Sequence, residues 1–159
     1  MSEVIFICNA NMCRSAMAEG ILRRNCTNAG LNITVASMGI HARDGRAATE
    51  FTVKVAGEFG IDLSAHQSRQ IIPEELKASR LIFTMEPVQV DYLDIFFPQV
   101  SDRLFMLTSW PLRKEKKKGV SDPVGRSIEV HRKVFRSIDG HIERIFPDII
   151  SLFSTDFNR

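Results

Sequence analysis

The sequence predicts an α/β protein of three layers, a four-stranded parallel sheet with helices on both faces. Two observations predict it. Short apolar runs such as Val4-Ile5-Phe6-Ile7 and Leu81-Ile82-Phe83 are continuous rather than alternating, the pattern of strands buried on both faces. Those runs also alternate along the chain with segments of helical period. Strand–helix–strand connections of that kind pack as right-handed crossovers onto a parallel sheet.

Taken in order, Val4 to Ile7 is the first strand. A polar stretch from Cys8 to Arg14 leads into a helix reaching about Asn28. Met17, Ile21 and Leu22 fall at helical spacing there, and Asn28-Ala29-Gly30 ends it. Ile33 to Ser37 is the second strand, with Gly39 after it. Thr49 to Phe59 is a helix with Phe51, Val55 and Phe59 on one face and Gly60 closing it. Arg80 to Thr84 is the third strand. Pro87 to Phe97 is a helix whose proline sits in the first turn, where its missing N–H is tolerated. Arg103 to Leu107 is the fourth strand, and a long polar loop, 108–124, precedes a final helix from about Ser127 to Phe153. No repeat, low-complexity tract or linker interrupts this order, so one domain is expected over 1–159, with the last few residues a tail.

The chain has 159 residues, 44% apolar and 25% charged, a balance that excludes a disordered, collagenous or coiled-coil chain. Val4 to Cys8 is far too short for a signal-peptide core or a membrane span, so a cytoplasmic location and no membrane association are expected. A net charge of +2 says little about partners. The one basic concentration is Arg113, Lys114, Lys116, Lys117 and Lys118, diluted by Glu115. It reads as a solvated loop or as a device attracting an anionic substrate. Nucleic acid is not expected, because no aromatics interleave with these lysines. The three cysteines, Cys8, Cys13 and Cys26, are an odd count without a secretory signal, which argues against a disulfide scaffold. No residue set offers four zinc ligands, so neither metal nor cofactor is expected.

In open parallel sheets ligands bind at the carboxyl ends of strands, beside a switch in strand order. That directs attention to Cys8-Asn9-Ala10-Asn11-Met12-Cys13-Arg14-Ser15, between the first strand and the first helix. A loop with five residues between Cys8 and Arg14 can wrap its N–H groups round a tetrahedral oxyanion at a helix N-terminus. The sulfur then lies beneath the phosphorus, and Arg14 can hold two oxygens as a fork. The same amides, the helix dipole and Arg14 favour the thiolate, to which Ser15 can donate a hydrogen bond. Cys-x5-Arg alone is a weak match, equally met by a buried strand-end cysteine and an unrelated surface arginine. Its position between strand and helix, with Ser following, makes it specific.

Residues 4–19 resemble the opening of the low-molecular-weight protein tyrosine phosphatases. The resemblance extends through Ser37-Met38-Gly39-Ile40-His41-Ala42, Gly60-Ile61-Asp62-Leu63-Ser64-Ala65-His66, Leu81-Ile82-Phe83-Thr84-Met85 and Ser121-Asp122-Pro123-Val124-Gly125. It leaves only about the last half dozen residues outside. It implies Cys8 as nucleophile, Arg14 as clamp for the phosphate and its trigonal transition state, and Ser15 as stabiliser of the thiolate. Asn11, Ser37 and His66 would hold the loop in shape. Asp122 would protonate the leaving oxygen, with Pro123 stiffening its turn. The chemistry asks for such an acid in any case, because a phenolate or alkoxide leaves poorly unless protonated. Ionised, the same carboxylate can then take a proton from the water that hydrolyses the cysteinyl-phosphate. Arg14 and the amides supply the positive field, so no metal is required. An aspartate before proline is also a common turn residue.

The chain departs from the family pattern at three places. Ala10 stands where Gly is usual, and positive φ there would cost on the order of 1 kcal/mol. Ala16 replaces a usual proline. Arg43 and Val124 stand on pocket walls that often carry aromatics, so the grip on a phenyl ring is expected to be poorer. Met12, bulky and apolar, resembles the phosphotyrosine-preferring members, whereas related phosphoarginine phosphatases usually place threonine there. The resemblance thus implies a monomeric enzyme acting on aryl phosphates in a phosphorylated protein or peptide. The alternatives are a phosphoarginine phosphatase, a non-catalytic phosphate-binding module, or a thioredoxin-coupled arsenate reductase. The last would need two further relay cysteines, and beyond Cys26 the chain has none.

Overall fold

The computed structural model describes residues 1–111 and 118–154. Four strands, β1 (Val4–Cys8), β2 (Val35–Gly39), β3 (Leu81–Thr84) and β4 (Leu104–Met106), form one parallel sheet in the order β2-β1-β3-β4. The helices are α1 (Arg14–Asn28), α2 (Glu50–Glu58), α3 (Pro73–Ala78), α4 (Pro87–Phe96) and α5 (Ile128–Ser154). The chain adds β2 on one side of β1 and then crosses to β3 on the other. The sheet therefore reverses at the carboxyl end of β1, where Cys8 sits.

β1 is central and every one of its five residues is buried, which explains its unbroken apolar run. Its alternate side chains serve two cores. Val4 and Phe6 face α1, α2 and α5, where Phe6 stacks on Phe83 at 5.6 Å. Ile5 and Ile7 face the α3 and α4 side with Ile82, Leu76 and Leu93. The long helix α5 buries Val134, Ile138, Ile142, Ile145 and Ile149 at the three-and-four spacing of one helical stripe. No helix among the described residues is long and apolar enough to cross a membrane.

The structure differs from the sequence reading in several details. β2 begins at Val35 rather than Ile33 and runs to Gly39; just before it the Thr34 carbonyl accepts the Glu3 and Val4 amides. The short helix α3 and a 3-10 turn at Pro98–Arg103 were not expected; each opens with a proline at its start. Phe51 is not on the buried face of α2, which consists of Thr52, Val55 and Ala56. The segment 108–124 is not simply polar: Trp110 and Val120 are buried, and the Gly119 backbone lies so close to Met85 that a side chain there would collide with it. The basic run Arg113 to Lys117 lies outside the described residues.

Candidate functional site

The site is built on the turn from β1 into α1. The Cys8 carbonyl accepts the Ile40 amide (3.0 Å), the Asn9 carbonyl the His41 amide (2.9 Å), and the Met12 carbonyl the Thr49 amide (3.1 Å). The segment after β2 thus grips the loop at three points. Gly39 permits this approach. A Cβ there would stand 2.6 Å from the Asn9 carbonyl oxygen and 2.9 Å from the Asn11 nitrogen, which no ordinary side chain tolerates.

Asn11 is the hub. It is fully buried and is the one non-glycine among the described residues with positive φ, at 56°. Asparagine tolerates that conformation better than most residues. Its Nδ2 donates to Ser15 Oγ and to Ser37 Oγ, both at 2.8 Å, and its Oδ1 accepts the Arg69 amide at 2.8 Å. His66 Nε2 lies 2.7 Å from the Asn11 carbonyl, so that nitrogen carries the proton. Ser37 in turn donates to Glu19, which is paired with Arg23 at 2.7 Å. Ala10 is not at positive φ, so the strain expected there is absent; the left-handed residue is its neighbour Asn11.

This network sets the direction of the bond at Cys8. Ser15 Oγ already accepts from Asn11, leaving its own proton for Cys8 Sγ, 2.9 Å away. A hydroxyl aimed at sulfur stabilises a thiolate more than a thiol. Cys13, in the same loop, is buried beside Thr52, and burial pushes its thiol up to about 12, with the charge of Cys8 adding to the effect.

Arg14 is 2% exposed yet fully engaged. Its Nη1 donates to the Val120 carbonyl and pairs with Glu86 Oε1, each at 2.9 Å, and its Nη2 stands 3.5 Å from Asp122 Oδ2. Glu86 was missed in the sequence; its signal was only an acid just past the third strand, at a sheet end where ligands gather. Asp122 is exposed, and its Oδ1 accepts the Val124 amide at 3.1 Å over the buried Pro123. Asp122 is therefore both a turn aspartate and a carboxylate facing Arg14.

Arg43 and Val124, both expected on the pocket, lie on different walls. Arg43 shares a recess of about 300 Å³ with Ala10, Met12, His41 and Arg46. Val124 and Gly125 line another, of about 330 Å³, with Phe51 and His131. Phe51, 39% exposed and edge-on to His131 at 5.3 Å, brings to that wall an aromatic ring that residues 124 and 125 lack.

A sequence model of the low molecular weight phosphotyrosine protein phosphatases matches residues 3–151. The chain is 29% identical to a protein-arginine-phosphatase of Bacillus subtilis (strain 168), over 82% of this chain and 85% of that one. It is 25% identical to the low molecular weight protein-tyrosine-phosphatase Etp of Escherichia coli (strain K12), over 87% and 88%. Among solved structures, the low molecular weight protein tyrosine phosphatase from T. tengcongensis superposes with a TM-score of 0.86 at 30% identity, covering 93% of this chain and 99% of that one.

Proposed function

Because this chain belongs to the low molecular weight phosphotyrosine protein phosphatase family, and is thus a cysteine-dependent phosphatase, we propose that it hydrolyses phosphotyrosine monoesters through a cysteinyl-phosphate on Cys8. The observation that carries the assignment is the chain of hydrogen bonds linking Ser37, Asn11 and Ser15 to Cys8 Sγ, which fixes that sulfur at the start of the loop leading to Arg14.

In this reading the thiolate attacks phosphorus in line with the leaving oxygen. Arg14, pre-aimed by Glu86 and the Val120 carbonyl, stabilises the equatorial oxygens, and such preorganised charge is commonly the largest catalytic contribution. Asp122 gives its proton to the departing phenolate. It then takes one from the water that attacks the cysteinyl-phosphate, releasing inorganic phosphate and regenerating Cys8. Met12 supports an aryl substrate, since it lines the recess beside the loop with apolar surface.

Phosphoarginine is the second reading, favoured by the arginine phosphatases among the relatives and by Val124 where an aromatic would grip a phenyl ring. The test is hydrolysis of p-nitrophenyl phosphate and of matched phosphotyrosine and phosphoarginine peptides, with chelator present and with Cys8→Ser as control. Chelator-resistant activity that vanishes in Cys8→Ser, with kcat/KM higher on phosphotyrosine, is expected. Activity surviving in Cys8→Ser would refute the mechanism, and a preference for phosphoarginine would replace the substrate.

A further inference from the structure

The recess of Ala10, Met12, His41, Arg43 and Arg46 adjoins the phosphate loop, yet nothing in the hydrolysis of a simple aryl phosphate needs two arginines there. Both are exposed, and among the described residues neither guanidinium has a hydrogen-bond or ion-pair partner. Asp44, between them in sequence, has its Oδ1 accepting the Gln70 amide at 2.8 Å, and among the described residues it forms no ion pair with either arginine.

The backbone beneath the two arginines, by contrast, is pinned. Ser68 Oγ donates to the Arg43 carbonyl and accepts the Arg46 amide at 3.0 Å. The Ser68 amide donates to the Arg46 carbonyl at 2.8 Å, and the Ser68 carbonyl accepts the Gly45 amide at 2.9 Å, where Gly45 takes the turn at φ 79°. Residue 69 next door ties the same strap to Asn11, the hub of the phosphate loop. Two like charges fixed at the base and free at the tip repel each other, and an anion between them relieves that repulsion. Holding them in place beforehand lowers the ordering cost of binding it.

We propose that Arg43 and Arg46 form a second anion subsite, which reads an acidic side chain or a second phosphate flanking the phosphorylated residue. The inference rests on the phosphatase reading of the Cys8 loop and adds a substrate class to it: phosphorylated segments rich in negative charge. The shared chemistry is a carboxylate or phosphate oxygen array facing two guanidinium forks.

The experiment uses one peptide frame with Ala, Glu or a second phosphorylated residue on either side of the target, made with phosphotyrosine and with phosphoarginine. Each is titrated calorimetrically into Cys8→Ser, and kcat/KM is measured on the active enzyme. Glu flanks should tighten binding about three- to tenfold over Ala flanks, the size expected of one or two exposed charge pairs. The gain should shrink as salt is raised and be lost or reversed in Arg43→Glu/Arg46→Glu. A doubly phosphorylated peptide that outranks the Glu peptide identifies phosphate as the anion; equality identifies the carboxylate. Equal affinity for Ala, Glu and phosphorylated flanks, or a preference that survives charge reversal, overturns the subsite. Binding to Cys8→Ser is read without turnover, so an inactive enzyme would count against the catalytic reading and leave the subsite's own result standing.

Discussion

At the residue scale the site shows how few groups have to be placed. Cys8 and Arg14 stood out in the sequence by their spacing at a strand end, and Asp122 by the resemblance of its Asp-Pro segment; the structure brings Asp122 to 3.5 Å from Arg14. Glu86 and Arg69 were not, because their parts are geometric: one aims Arg14, and the other lends only its backbone amide to Asn11. For Ala10 the question was open, because sequence cannot say which loop residue carries positive φ, and the chain puts that burden on Asn11. Asp122, exposed and 3.5 Å from Arg14, yields a clean prediction. Asp122→Asn should lower kcat by about two or more orders of magnitude on a substrate with a poor leaving group. The loss should shrink on p-nitrophenyl phosphate, whose phenolate needs less protonation. An equal loss on both would mean that the acid is another residue.

At the scale of elements, β1, α1, α4 and α5 were readable because each is long or strongly patterned. The short helix α3 and the 3-10 turn at Pro98–Arg103 carry too few residues to show a period, and only their opening prolines announce them. Phe51 was assigned to the core by spacing alone, whereas α2 turns Thr52, Val55 and Ala56 inward and leaves Phe51 beside Val124. The β1–α1 loop itself carries two thiols of unlike character. Peroxide would convert the Cys8 thiolate to a sulfenic acid, and attack by Cys13 sulfur would form a disulfide and expel hydroxide. Burial pushes Cys13 up to about 12, so at neutral pH it is almost entirely thiol. Because its thiolate fraction rises about tenfold per pH unit below that value, disulfide closure should accelerate with pH. After peroxide treatment and dithiothreitol, wild type should recover and yield a Cys8–Cys13 linked peptide by mass spectrometry. Cys13→Ser should recover poorly, and equal recovery of both would eliminate Cys13 as the resolving thiol.

At the scale of the whole molecule, the parallel sheet was implied by alternating strands and helices, its order β2-β1-β3-β4 was not, and the structure adds what the site draws from each part. The loop and Arg14 are anchored to Ile40, His41 and Thr49, to His66 and Arg69, to Glu86 and to Val120, so segments far apart in the chain each contribute a restraint. Trp110, the sole tryptophan, packs edge-on to Phe83 at 5.6 Å in the core beneath and reports on the same unit. Urea should therefore abolish activity and shift Trp110 fluorescence in coincident transitions, both moved to higher urea by inorganic phosphate, which binds only the folded state. Activity lost well before the fluorescence change would mean that the loop unfolds independently. The scattered anchors also impose an order on biosynthesis. Cys8 and Arg14 leave the ribosome well before two of the partners that hold Arg14, the Val120 carbonyl, 106 residues beyond that arginine, and Asp122 just after it. The loop around Cys8 therefore emerges without these partners, and its geometry is completed only when the chain has been made through Asp122.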